Sequence, residues 1–296
     1  MELQQLRYVI AVAETGNFTR AAERCNVAQP SLSQQIIKLE RELEHRLFHR
    51  LGRQAVLTES GKLFIDRARR ILFDVDETAK ELRDDPRSGR KIVIGAIPTV
   101  APYLLPVLLE RCRELLPDLE VGTYEDFKGY LIESVLNGEL DLALVPMPVK
   151  DSRLSVETAF TEPLLLAVGR DHPLAKKPSV TIKDLEPENF ILLGESSSLT
   201  QQIQRFCGDN DFKPRIGYRC AQVSTLKSLV SLGRGVAILP KVAQSADDTA
   251  LVYKSLSGRE PVREISIVRH VQRYQSKGAT QFIALLKQVL RERTER

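Results

Sequence analysis

"AQPSLSQQI", Ala28 to Ile36, is the stretch whose reading decides the N-terminal part of the chain. Pro30 suits the first turn of a helix, where its missing N–H costs nothing. Beyond it Leu32, Ile36, Leu39 and Leu43 recur at spacings of 4, 3 and 4, an apolar stripe for one helix face. The front and outer face carry Gln29, Ser31, Ser33, Gln34, Gln35 and Lys38. A helix that needed only solubility would use Glu and Lys there. Glutamine pairs bidentately with adenine, serine accepts either kind of partner, and Lys38 suits a phosphate. Taken alone, the same residues also fit a solvated face with chance amides.

The flanking sequence narrows the choice. Leu3 to Gly16 carries Leu6, Val9, Ile10 and Ala13 at helical spacing. Asn17 is a good cap for the next short helix, where Ala21 and Ala22 permit close contact. Asn26-Val27 breaks the chain before the Gln29 helix, so the arrangement is a helix-turn-helix whose second helix enters a major groove. Leu47 to Gly61, "LFHRLGRQAVLTESG", then reads as strand, turn, strand. It forms a wing with Arg50 and Arg53 on either side of Gly52, placed for phosphate or the minor groove.

Composition permits this reading without arguing for it. The 296 residues carry a net charge of only +4, 43% hydrophobic residues and 28% charged ones. That suits a multi-part globular protein with no strong electrostatic bias toward nucleic acid. No apolar run approaches the roughly 18 residues of a membrane span. The first residues lack a signal-peptide pattern, so a cytoplasmic protein is expected. Cys25, Cys112, Cys207 and Cys220 form no CxxC pair, which excludes the usual spacings of a structural zinc site; no metal or cofactor is expected.

From Ser60 to Leu82, Phe64, Ala68, Ile71, Val75, Thr78 and Leu82 alternate at spacings of 4 and 3, a heptad seam for a paired helix. A helix packed on its own domain would show a similar stripe. Pro86 and Gly89 in "RDDPRSGRK" then mark a boundary. After Lys91, strand and helix patterns alternate, which predicts an α/β domain with mostly parallel sheets in two lobes around a hinged cleft. The expected division is 1–58 for DNA binding, 59–90 for the linker and 91–296 for the effector domain. Lobe I takes 91–162 and 266–296, and lobe II takes 163–265. Ligands in such sheets sit at strand carboxyl ends beside helix N-termini. Thr99, Ser196, Ser197, Ser198, Thr200 and Ser224 stand at such places, and Lys128 adds a cation near the rim. Each of the hydroxyls is individually explained as a helix cap.

The residues Ala21-Ala22, Gln29-Pro30-Ser31-Leu32-Ser33, Ile36, Leu39-Glu40, Leu47-Phe48, Arg50, Leu57-Thr58 and Gly61 together resemble the N-terminal domain of LysR-type transcriptional regulators. Gln34 departs from the pattern, many members having arginine there, which bears on which bases are read. The resemblance implies a winged helix-turn-helix, to whose DNA-binding set Thr19 is added. It also implies a linker helix that pairs subunits, a near-palindromic double-stranded operator, and a homodimer assembling to a homotetramer. RNA polymerase is a further implied partner. The effector domain resembles a two-lobed periplasmic binding protein that takes a small molecule between its lobes.

"IGAIPTVAPYLLP", "EPLLLAV" and "STLKSLVSLGRGVAILP" resemble the peroxide-sensing members of the family. Those members use two cysteines spaced as Ser198 and Cys207 are here, nine positions apart. Cys207 matches the second and is the redox candidate; Ser198 stands at the first and cannot form a sulfenic acid or a disulfide. Thr99 and Arg263 match residues near the peroxide pocket, whereas Lys128 replaces a threonine. Ser197, Thr200 and Gln201 also depart from that branch, which favours a relative that lost peroxide sensing over a deliberate Cys-to-Ser change. Enzymatic chemistry finds no support: "GESSS" lacks the second glycine of GxSxG, and His45, His49, His172 and His270 build no triad. The reading is a DNA-binding regulator with an effector cleft. An architectural DNA-binding protein with a vestigial cleft remains the alternative.

Overall fold

The computed structural model describes residues 1–51, 54–83, 91–258, 260–273, 275 and 277–294. The wing tip with Arg53 and the boundary at Pro86 and Gly89 lie outside the described residues, as do the side chains of Arg50 and Leu82. The chain forms two compact units, one built on Met1–Asp85 and the other on Pro86–Val135 with Glu139–Arg296.

The first unit opens with α1 (Leu3–Thr15), α2 (Phe18–Arg24) and α3 (Gln29–Glu42). Gly16 ends α1 in the left-handed conformation at φ 62°, and the Asn17 side chain accepts from Thr19 N and Arg20 N to start α2. Leu32, Ile36 and Leu39 are fully buried and share a core with Val9, Val12, Ala21 and Ala22. β1 (Phe48–Leu51) and β2 (Gln54–Leu57) form an antiparallel hairpin, followed by α4 (Glu59–Arg83). The second strand therefore stops before Gly61. Thr58 ends it and caps α4 instead, its hydroxyl accepting from Gly61 N at 2.9 Å while donating to the Arg46 carbonyl at 2.6 Å. A Cβ at Gly61 would lie 2.1 Å from the Leu47 carbonyl oxygen, so only glycine lets α4 start against the wing.

The second unit runs β3 (Lys91–Ala96), α5 (Ala101–Leu115), β4 (Glu120–Glu125), α6 (Lys128–Leu136), β5 (Leu142–Pro146) and β6 (Leu154–Gly169). It continues with α7 (Pro173–Lys176), β7 (Asn189–Leu193), α8 (Ser198–Gly208), β8 (Arg215–Cys220) and α9 (Val223–Ser231). β9 (Ala237–Pro240), β10 (Leu251–Lys254), β11 (Val262–His270) and α10 (Lys277–Thr294) complete it. The main sheet has the order β10-β6-β11-β5-β3-β4, with β9 also on β6. Pairings β3–β4, β3–β5 and β7–β8 are parallel, but β11 on β5, β11 on β6, β6 on β9 and β6 on β10 are antiparallel. The sheet is mixed rather than mostly parallel.

The reason is β6. It runs unbroken from Leu154 to Gly169 and passes from one lobe to the other. Residues before about Pro163 pair with β11, and Leu164–Gly169 pair with β9 and β10. The alternation of buried and open residues along 154–162 belongs to a sheet edge in lobe I, and the continuous apolar run 164–168 to the lobe II core. All of β11 from Val262 joins the lobe I sheet, so residues 262–265 lie on the lobe I side of the crossing.

Candidate nucleic-acid interface and effector cleft

On α3 the outer face is carried by Ser31, Gln34 and Lys38, all exposed, with Gln29 and Pro30 exposed at its start and Thr19 exposed on α2. Two neighbours differ from the sequence expectation. Ser33 is buried, and Gln35 is half-buried, its Oε1 accepting from Gln5 Nε2 at 3.1 Å. At 100° per residue both stand on the flanks of the apolar stripe, Gln35 against Gln5 of α1. Lys38 pairs with Glu2 at 3.3 Å, but both side chains are exposed and such a pair is weak. Arg41, missed in the sequence reading, continues the Gln34–Lys38 face by one more turn, is exposed, and has no carboxylate partner among the described residues. Its i+7 spacing from Gln34 was the available signal.

Glu40 ties this helix to the wing. Its Oε1 accepts from Leu47 N at 2.7 Å and Phe48 N at 3.2 Å, and Ala55 N donates to the Gly16 carbonyl at 2.8 Å. Phe18 meets Phe48 edge to face with ring centres 5.8 Å apart. These contacts join α3 and the described part of the wing within one unit.

In the second unit a cavity of about 170 Å³ opens between the lobes. Ile97, Pro98 and Thr99 after β3 wall it, with Phe127 and Lys128 at the start of α6. Across from them are Leu193 and Gly194 after β7, Ser196 to Leu199 opening α8, and Ala221 after β8. Every polar wall stands at a strand carboxyl end or a helix start. Ser197 is the N-cap residue of α8, but its side chain makes no cap hydrogen bond although the residue is 6% exposed. The amide end of α8, which carries partial positive charge, thus faces the cavity without a side-chain cap. Lys128 donates to the Pro148 carbonyl; burial, and then the charge of Arg205, hold its pKa below the ordinary lysine value. Among the described residues, no carboxylate lines the cavity. The site is suited to a small anion.

Three expected cleft residues lie elsewhere. Thr200 is buried in the first turn of α8, with its hydroxyl donating to the Leu193 carbonyl at 3.0 Å. Ser224 is exposed on α9, and its hydroxyl meets Gln222. Arg263 is 2% exposed and belongs to the hinge. Its Nε donates to Glu162 Oε1 at 2.9 Å, and its two terminal nitrogens donate to Thr99 Oγ1 at 2.8 Å and the Thr99 carbonyl at 3.0 Å. Glu162 Oε2 accepts from Val242 N at 2.7 Å. Glu162 and Arg263 face each other in the β6–β11 register, which no sequence spacing exposes. Burial pushes the Cys207 thiol up to about 11.

These features define a winged helix-turn-helix unit and a two-lobed domain with a cleft between its lobes. Residues 86–291 match the LysR substrate binding domain, and residues 3–62 match the bacterial regulatory helix-turn-helix of the lysR family. The chain belongs to the LysR family of DNA-binding transcriptional regulators. It is 35% identical over 274 residues to the Escherichia coli (strain K12) DNA-binding transcriptional dual regulator OxyR, covering 90% of this chain and 89% of the relative. A full-length cysteine-to-aspartate variant of OxyR from Pseudomonas aeruginosa superposes with a TM-score of 0.79 at 26% identity, covering 98% of this chain and 95% of that one. A hydrogen-peroxide-bound cysteine-to-serine variant of Corynebacterium glutamicum OxyR superposes at 0.64 with 26% identity, over 98% and 93% of the two chains. No described helix is long and apolar enough to cross a membrane.

Proposed function

We propose that this regulator is switched by a small anion in the cleft between Thr99, Lys128 and Ser196–Ser198, and not by hydrogen peroxide. The observation that carries this is the N-terminus of α8: it has no side-chain cap, is paired across the cavity with Lys128, and meets no acidic residue there. The cavity volume matches on the order of five or six water-sized groups, the size of a short carboxylate or an inorganic oxyanion. Against peroxide stands Ser198 at the position of the first cysteine, since serine forms neither a sulfenic acid nor a disulfide.

On this reading Gln29, Ser31 and Gln34 read bases from the major groove. Thr19, Lys38, Arg41, Arg50 and Arg53 hold phosphates. Exposed Ile71, Val75 and Thr78 on α4 pair two subunits over a near-palindromic site, and the dimers join as a tetramer. The protein works in the cytoplasm, beside RNA polymerase, with the cleft as a binding rather than a catalytic site. The experiment is a gel shift with full-length protein on a duplex selected from a random pool, titrated with acetate, succinate, phosphate and hydrogen peroxide. One of the anions is expected to change affinity or footprint, with the change lost in Lys128→Thr, and micromolar peroxide to do nothing. A peroxide response in an anion-insensitive protein overturns the proposal.

A further inference from the structure

A second cavity, larger than the cleft at about 400 Å³, lies at the hinge and shares no lining residue with it. Its apolar walls are Leu104 on α5, Leu290 on α10, Phe160 and Pro163 on β6, and Val242 after β9. Both lobes therefore contribute, and the floor is the point where β6 crosses between them. Two ionisable residues line it, Glu162 and Lys241. The Glu162 carboxylate is buried and fully engaged, by Arg263 on one oxygen and Val242 N on the other, so its charge is compensated within the protein. Lys241 is exposed at the rim, with no carboxylate partner among the described residues. A half-open, mostly apolar pocket, with exposed Thr161 and Gln244 also on its wall and exposed Lys241 as its cation, fits an amphipathic monoanion: a hydrocarbon or aryl body inside and a carboxylate on Lys241. The volume lies in the ordinary range for small-molecule sites, roughly 300–1,000 Å³.

We infer that this hinge cavity is a second ligand site, for a medium-chain or aryl carboxylate, whose occupancy is felt at the cleft. The connection is a continuous set of hydrogen bonds. Val242 N, on the cavity wall, donates to Glu162; Glu162 holds Arg263; and Arg263 holds the side chain and carbonyl of Thr99, which lines the cleft. A body wedged between Val242 and Leu104 acts on the first link, and a shift of Thr99 is the last. The site itself does not depend on what the cleft binds.

The test uses full-length protein, octanoate as the probe and 1-octanol as its uncharged counterpart, followed by calorimetry. Octanoate is expected to bind saturably. Gln244→Trp, at an exposed lining position, should weaken both probes at least tenfold by filling the chamber. Lys241→Glu should weaken octanoate at least fivefold and leave octanol unchanged. Circular dichroism melts establish that both variants fold. Hydrogen exchange with octanoate bound should change at residues 97–99 as well as around Val242. Absence of saturable binding, or binding that neither variant alters, overturns the site. Exchange that is unchanged at 97–99 while octanoate binds overturns the coupling. Self-association that Gln244→Trp abolishes, without octanoate binding, makes the cavity a contact between copies and overturns the proposal.

Discussion

Cys207 stands in the last turn of α8, wholly buried, with its thiol held near 11 by desolvation alone. The nucleophile is the thiolate, so at neutral pH almost none of this residue can react. With iodoacetamide on the native protein, the half-buried Cys25 should be labelled first. Cys207 should label only under unfolding conditions or toward pH 11, its rate rising with pH because deprotonation limits it. Rapid labelling of Cys207 at pH 7 would refute this assignment. At the reading head, Gln34→Ala should cost about 1–3 kcal/mol on the preferred duplex and relax base discrimination. Lys38→Ala should weaken all sequences alike and flatten the salt dependence. Equal losses by both variants on specific and random duplexes would contradict the division of roles. That Ser33 and Gln35 are not on this face was hidden from the spacing, because flanking positions are assigned only by what packs beside them.

Among the elements, α4 is the one whose sequence pattern carried two meanings. Phe64 and Ala68, with Ile65, turn toward the core of their own unit, where Ile65 and Ala68 are buried. Ile71 and Val75 on the same stripe are each 38% exposed. The seam is therefore intramolecular at its start and open further along. Ile71→Asp with Val75→Asp places charge on the open half and should lower the assembly state in light scattering while leaving the melting of the winged unit in place. A wild-type protein that is monomeric at micromolar concentration would remove the basis for pairing. The start of the same helix depends on Gly61. Alanine there gains some helix propensity, but its Cβ would overlap the Leu47 carbonyl oxygen, a backbone atom that cannot swing aside. Gly61→Ala should destabilise the winged unit by about 1–3 kcal/mol in urea titrations, as overpacking does. A neutral or stabilising result would mean that α4 can shift away from the wing.

Across the effector domain, the Glu162–Arg263 pair joins the crossing strands and reaches Thr99 and Val242. Burying two charges is costly, so such a pair stabilises little relative to apolar residues; losing one partner is what hurts. Glu162→Gln should lower stability by about 3–5 kcal/mol through the stranded guanidinium, and adding Arg263→Met should recover part of the loss. An unchanged denaturation midpoint for the single variant would show that the hinge does not rely on this pair. Because Arg263 also holds Thr99, the same single variant should alter the anion response of the cleft.

Much of this is legible in the sequence alone. Local chemistry determines the helices of the winged unit, since Gly16, Asn17 and Pro30 act within one turn of themselves and Leu32, Ile36 and Leu39 need only a period of 3.6. The start of α8 and its serines followed for the same reason, as did the loss of the first redox position at Ser198. Tertiary structure alone decided what depends on register between distant strands. The long β6 and its antiparallel partners turned an expected parallel sheet into a mixed one, because pairing across roughly a hundred residues leaves no periodic mark on either segment. The same pairing took Arg263 out of the ligand set and placed it on Glu162. Packing around α8 and α3, separately, left Thr200 and Ser33 facing inward, where what surrounds a hydroxyl, and not the hydroxyl itself, determines what it can bind.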